Sequence, residues 1–264
     1  MVSGMAEQTP GIREYTAPAT AGGSPPRGFL SDAGQVLGLF TVSAVALVLI
    51  FPPLGSWPLA FVALVPWALG VCRAQRAWLV HWLSFFVGWG FFLVALRWLQ
   101  PVTGLGYAAL GLYLAFYWTL AAWALRTGRR HGISVVWTLP VAWVACEYLR
   151  AIVMTGFPWL FLAHGLHAQL PLIQIADLVG AYGVSFVAAL VNGLLVELAL
   201  RRWPAPTGRR PRRELWLAAG VTVAAVGGTL WYGFYRLREV DFTDAARRGP
   251  RIAVVQEDFP LRSK

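Results

Sequence analysis

Seven apolar runs succeed one another along the chain, at about residues 33–51, 57–72, 78–99, 107–125, 132–153, 178–200 and 215–235. Most reach the roughly 20 residues an α-helix needs to cross a hydrocarbon core. Inside such a core every backbone polar group must be satisfied internally, so runs of this length specify helices. Hydrophobic residues make up 58% of the chain, charged residues only 13%, and the mean hydropathy is +0.58. A water-soluble domain carries about 25% charged residues, so a soluble globular fold is excluded. The 14 Trp and 15 Phe argue against a disordered chain. A single lysine, Lys264, against 21 arginines is unlike a lysine-rich nucleic-acid arm, and no nucleic-acid partner is expected.

The runs differ in regularity. The second, Trp57 to Cys72, is short and holds Pro58 and Pro66, which makes it a kinked span or a re-entrant piece. The stretch from Leu170 to Leu200 is too long for one perpendicular helix and carries Gln174 and Asp177 early, so an interfacial turn is expected to feed a span from about Leu178. Residues 1–32 are polar and rich in Pro and Gly, with no apolar core of a signal peptide, and are expected to form a disordered cytoplasmic tail. Residues 33–236 then form the transmembrane helical domain. Residues 237–264 are a linker leading to a short strand, Arg251 to Gln256, with which a soluble domain starts and then stops.

Orientation follows from the basic residues, since positive charge resists translocation. Thirteen arginines fall in the tail and the second, fourth and sixth loops, against only Arg97 and Arg150 on the opposite side. The N-terminus is therefore expected in the cytoplasm and, after seven spans, the C-terminus on the outer side. The net charge of +10 is read in the same way, as topology and lipid contact.

Ionisable groups inside spans are costly and are candidate sites by default. They are His81, Arg97, Glu147, Arg150, Asp177 and Glu197. Glu147 and Arg150 are three residues apart on one helix face, where they either pair to close the helix end or bind a headgroup. Glu197 precedes Arg201 and Arg202, which suggests an interfacial salt bridge. Asp177 is placed to cap the helix that follows it. His164 and His167 lack a third ligand nearby, so no metal site is expected. Cys72 and Cys146 lie inside apolar runs and are read as packing residues, without activation as nucleophiles. Gly88, Gly90, Gly180 and Gly183 are read as flat surfaces for close helix packing. Thr155-Gly156-Phe157-Pro158-Trp159-Leu160 breaks a helix and supplies interfacial aromatics, as a re-entrant anchor or one wall of a lipid-chain groove. No catalyst emerges from these residues alone.

Several of these motifs, taken in order, resemble the apolipoprotein N-acyltransferase family of bacterial inner membranes. They are Phe51-Pro52-Pro53 with Trp57-Pro58-Leu59-Ala60-Phe61, Gly88-Trp89-Gly90-Phe91, Glu147-Tyr148-Leu149-Arg150 and Thr155 to Leu160. Gly180-Ala181-Tyr182-Gly183-Val184-Ser185-Phe186, Asn192-Gly193 and Arg251 to Gln256 complete the series. The resemblance implies an all-α polytopic bundle of about seven transmembrane helices, then the first strand of an α/β nitrilase-like domain, in a multi-pass protein of the inner membrane with a periplasmic C-terminus. It implies acyl transfer from a phospholipid through a cysteine thioester to the α-amino group of a diacylglyceryl-modified apolipoprotein, without a cofactor. A thiolate nucleophile, a glutamate base and an oxyanion-stabilising lysine suit that chemistry. All three are expected beyond Lys264, so no catalytic residue is assigned and the chain alone is expected to be inactive. Glu257-Asp258 stands where the family pattern has Gly-Asn. Glu147, Arg150, Phe157, Pro158 and Trp159 are the candidate substrate-binding residues. The alternative is a non-catalytic seven-span scaffold or lipid-binding module.

Overall fold

The computed structural model describes residues 29–203 and 211–239, and every regular element among them is helical. In chain order these are α1 Phe29–Leu49, α2 Val65–Arg73, α3 Ala77–Ala95, α4 Gly104–Arg130, α5 Val135–Ile152, α6 Leu170–Ile173, α7 Ala176–Arg202 and α8 Arg212–Glu239. Short 3-10 turns lie at Trp57–Phe61, Arg97–Leu99, Val153–Thr155 and Leu162–Leu166. Six helices, α1, α3, α4, α5, α7 and α8, are long and apolar enough to cross a membrane. That is one fewer than the seven apolar runs. The strand expected at Arg251 to Gln256 lies outside the described residues, as does most of the expected tail. The tail ends earlier than its composition suggests, since α1 begins at Phe29 and buries Asp32 in its first turn.

The missing span is the second run, and the reason is local. Pro58 and Pro66 each sit in the first turn of a helix, where the absent N–H is tolerated, so the run folds as a 3-10 turn and the nine-residue α2. The two pieces return alongside α1. Ser56 N–H bonds Leu49 O at 2.9 Å, Trp67 N–H bonds Ser43 Oγ at 2.7 Å, and Gly70 lies against Phe40. Arg73 ends beside the pocket lined by Asp32 and Gln35. The broken pair thus covers the depth of α1, although neither piece does so alone. Asn192 of α7 repairs the break: its Oδ1 accepts Leu64 N–H, and its Nδ2 donates to Ala60 O and Ala188 O, each at 2.9 Å. This meets the requirement that backbone groups freed by a broken helix find partners within the protein.

Lipid offers helices little hydrophobic drive to associate, so close packing and polar bridges hold them together. At the centre Trp67 is fully buried, with ring centroids 5.6 Å from Trp143 and 6.2 Å from Trp118, and its indole N–H reaches Ser84 Oγ at 3.3 Å. Gly88 admits Trp118, where a Cβ would approach the indole to 2.8 Å. Cys72 and Cys146 are buried, in keeping with a packing role. The run from Leu170 divides as expected into a short helix and a span. Gly180, with φ of +66°, kinks α7 in its first turns, a backbone role in addition to the flat surface expected of it.

At the basic end, Glu197 of α7 is buried and reaches the start of α5. Its Oε2 accepts Ser134 Oγ–H at 2.9 Å and Val135 N–H at 3.2 Å, and lies 3.7 Å from Arg129 of α4. The expected salt bridge therefore has partners on other helices. Asp177 corrects a second expectation. Ile175 occupies the N-cap of α7 and makes no side-chain cap bond, while Asp177 meets α8, accepting Tyr232 Oη–H at 2.8 Å and pairing with Arg236 at 3.1 Å.

Candidate functional site

The end of the bundle opposite the Arg129–Glu197 pair is built on irregular backbone. After α5 the chain turns through Met154, Gly156 and Leu160, with φ of +51°, +79° and +59°. A left-handed conformation costs a non-glycine residue of order 1–3 kcal/mol and persists where its surroundings over-determine it. At Gly156 only glycine fits, because a Cβ would stand 2.1 Å from Ala151 O.

Two buried side chains of α5 supply the over-determination. Glu147 Oε1 accepts Leu162 N–H at 2.7 Å and Trp143 Nε1–H at 3.1 Å. Arg150 Nη2 donates to Leu160 O at 2.8 Å, and its own carbonyl accepts Phe157 N–H at 2.6 Å. The guanidinium faces the rings of Phe161 at 5.0 Å and Phe92 at 5.8 Å, a cation–π arrangement. The two residues share a face, as their spacing predicted. Among the described residues, however, they form no direct ion pair: each grips the returning segment instead. Ser185 of α7 adds a third grip, accepting Ala163 N–H at 3.0 Å.

The segment so held displays Pro158 and Trp159 at the surface, with Trp159 52% exposed. Trp159 lies over Phe157 and beside Trp98, at centroid distances of 6.3 and 5.4 Å. A second aromatic run follows, from Tyr148 to Tyr182 to Phe161 to His164. Tyr113 closes the other flank, its hydroxyl 2.6 Å from that of Tyr117 and 3.2 Å from Val153 O.

Beneath the segment a cavity is lined by Glu147, Arg150, Tyr117, Trp143, Cys146 and Leu160, among others. Its space for water centres is about 20 Å³, room for one water molecule. Arg150 Nη1 is buried without a hydrogen-bond partner. The site thus joins an aromatic outer surface to a small, largely apolar pocket into which Glu147 and Arg150 bring the charged groups.

The five candidate residues are brought together, but at two depths. Phe157, Pro158 and Trp159 form the surface, while Glu147 and Arg150 are buried beneath it, 2% and 5% exposed. Sequence reasoning missed Trp98, Tyr113, Tyr117, Phe161 and Ser185. Only the i, i+4 spacing of the two tyrosines offered a signal. The remaining ionisable candidates lie elsewhere: His81 in α3, exposed Arg97 in its 3-10 turn, Asp177 against α8 and Glu197 at the basic end. His164 Nδ1 accepts Phe161 N–H at 3.3 Å, and burial first, then the Arg150 charge, hold its imidazole below the ordinary value. His167 Nδ1 sits 3.0 Å from His164 O. No group of three potential metal ligands occurs among the described residues.

Comparison with known proteins adds to this geometry. Residues 43–194, more than half of the chain, match the family model described as the apolipoprotein N-acyltransferase N-terminal domain. An apolipoprotein N-acyltransferase of Geobacter metallireducens is 37% identical over 211 residues, covering 74% of this chain and 39% of the relative. That of Rhodopirellula baltica is 34% identical over 214 residues, covering 72% of this chain and 35% of the relative. That of Ralstonia nicotianae is 36% identical over 199 residues, covering 69% and 36%. The chain therefore spans a little over a third of the length of these relatives.

Proposed function

Because the chain belongs to the apolipoprotein N-acyltransferase family, we propose that it supplies the membrane part of an enzyme that moves an acyl chain from a phospholipid to the free α-amino group of a diacylglyceryl-modified apolipoprotein. Its Phe157-Pro158-Trp159 surface meets the acyl chains of the substrates. Glu147 and Arg150 act beneath it as positioning residues that hold the segment in one conformation. The observation that carries this reading is the grip of two buried ionisable side chains on a segment that holds the Trp159 ring at the surface. Lipid-facing helix surfaces need no such support, whereas a surface that must present rings in a fixed geometry does.

Glutamate, lysine and cysteine, which would run the covalent steps, are assigned to no residue of this chain. The covalent steps are proposed to belong to a nitrilase-like domain of the kind the family resemblance implies. The location proposed is the bacterial inner membrane, with the N-terminus cytoplasmic and the C-terminus periplasmic. Arg73, Arg76, Arg126, Arg129 and Arg130 support this orientation by gathering around two loops on one side, most of them in the last turns of α2 and α4, with Arg201, Arg202, Arg212 and Arg213 around the next loop on that side. In this orientation α2 and the preceding 3-10 turn make a seventh crossing as a broken pair.

A photoreactive benzophenone side chain introduced at Trp159 tests the reading in native membranes, against alkyne-tagged phospholipid and a diacylglyceryl lipopeptide. Trp231 of α8, 71% exposed, serves as the reference position. The expected result is a phospholipid adduct at 159 that the lipopeptide competes away, with no competition at 231. Equal labelling at both positions, indifferent to lipopeptide, would leave a lipid-coated scaffold and reject the proposal.

A further inference from the structure

A second concave surface adjoins this site at Tyr117 and opens on another side of the bundle. Between α3 and α4 a groove of about 480 Å³ opens on the outside of the bundle, lined by His81, Phe116, Tyr117, Thr119, Leu120 and Trp123. Its wall is almost wholly apolar, and the Thr119 hydroxyl is turned away to His81 O at 3.2 Å. His81 keeps a buried Nδ1 without a hydrogen-bond partner.

The groove has a direction. Thr119, Trp123, Arg126 and Arg130 fall at i, i+4, i+7 and i+11 along α4, so the face that forms the groove wall continues for two turns into arginine. Arg130 is exposed at the helix end. Arg126 is fixed in place by bonds to Val71 O at 2.9 Å and Gln75 O at 3.4 Å. Trp78 and Trp82 of α3 and Trp123 of the groove wall are each more than half exposed, as in an aromatic belt at a lipid–water boundary. An apolar slot for a chain thus ends in a fixed and a free positive charge, at the end of the bundle where arginines collect. That is the chemistry of a pocket for an acidic headgroup, since a zwitterionic lipid would bring its own cation to the same place.

We propose that this groove holds one anionic phospholipid of the leaflet at the basic end, its chain along Phe116, Leu120 and Trp123 and its phosphate at Arg126 and Arg130. The lipid is a bound partner of the bundle, distinct in position from the Trp159 surface at the opposite end.

Native mass spectrometry of the full chain, released from nanodiscs of equal parts phosphatidylglycerol and phosphatidylethanolamine, tests this. Arg130→Gln leaves the bundle packing untouched, and Arg213→Gln removes the same charge from the exposed start of α8 at the same end. The expected result is preferential retention of one phosphatidylglycerol, reduced about fivefold by Arg130→Gln, the weight of one arginine near an anionic surface, and unchanged by Arg213→Gln. Leu120→Trp, which fills the slot without altering charge, is expected to reduce retention as well. Equal loss from both arginine variants would mean diffuse surface charge and overturn the proposal. So would retention that Leu120→Trp does not touch, or equal retention of the two lipids.

Discussion

The bundle buries a glutamate and an arginine near each end, and it uses them in opposite ways. At the basic end Glu197 and Arg129 meet at 3.7 Å, and the same carboxylate oxygen accepts from Ser134 Oγ–H and Val135 N–H. It does the work of an N-cap on a helix 62 residues away and fastens α4, α5 and α7 together. At the other end Glu147 and Arg150 sit one helical turn apart without pairing, and both reach into the segment that returns from α5. A cavity for one water and an unpartnered Arg150 Nη1 remain beside them. The first arrangement closes helix ends on one another. The second holds three residues of left-handed backbone so that Pro158 and Trp159 stand at the surface, and this is the end where we place substrate contact.

The sharpest way to break the comparison is to remove each carboxylate. Glu197→Ala takes away the carboxylate that Arg129, Ser134 Oγ–H and Val135 N–H share, and is expected to destabilise the bundle by about 3–5 kcal/mol, the usual result of removing one partner of a buried pair. Glu147→Ala strands the Trp143 and Leu162 N–H groups, at about 1–3 kcal/mol for each orphaned donor. The difference should also show in extent. Hydrogen exchange is expected to rise through α4, α5 and α7 in the first variant, and mainly over residues 156–166 in the second. Matching exchange patterns would erase the distinction drawn between the two ends.

A smaller effect sharpens the same contrast through pH. His164 is held below the ordinary imidazole value of about 6.5, so the folded protein binds fewer protons there than the unfolded chain. Its contribution is full above that ordinary value and declines as pH falls below it toward the folded value. Protonation also removes the acceptor of Phe161 N–H. Amides of residues 161–166 are therefore expected to exchange faster at pH 5.5 than at pH 7.5, after correction for intrinsic rates, while those around Glu197 do not. His164→Asn should flatten the dependence. A pH response that is uniform along the chain would remove His164 from the account.

The sequence made the helices legible because hydrophobic length is a local property. It located six spans and marked the Trp57–Cys72 run as irregular from two prolines. What it could not carry were partners distant in the chain. Asn192 was visible only as part of a motif, yet it bonds a helix break 128 and 132 residues away. Asp177 looked like a cap from its place before an apolar run, but α8 returns beside it and Tyr232 and Arg236 claim the carboxylate. Glu147 and Arg150 were rightly placed on one face, and their separate bonds arise because residues 157–162 fold back over that face. In each case local spacing fixed where a side chain points, and the fold of a remote segment decided what it meets.

The most direct test of the central claim combines the photoreactive probe at position 159 with a conservative change at either end. Lipopeptide-competed labelling, normalised to folded protein, is compared in Glu147→Gln and Glu197→Gln. The account predicts that labelling falls sharply in the first and is retained in the second, because Glu147, and not Glu197, holds the segment that carries Trp159. Equal labelling in the two variants, or loss only in Glu197→Gln, would contradict it.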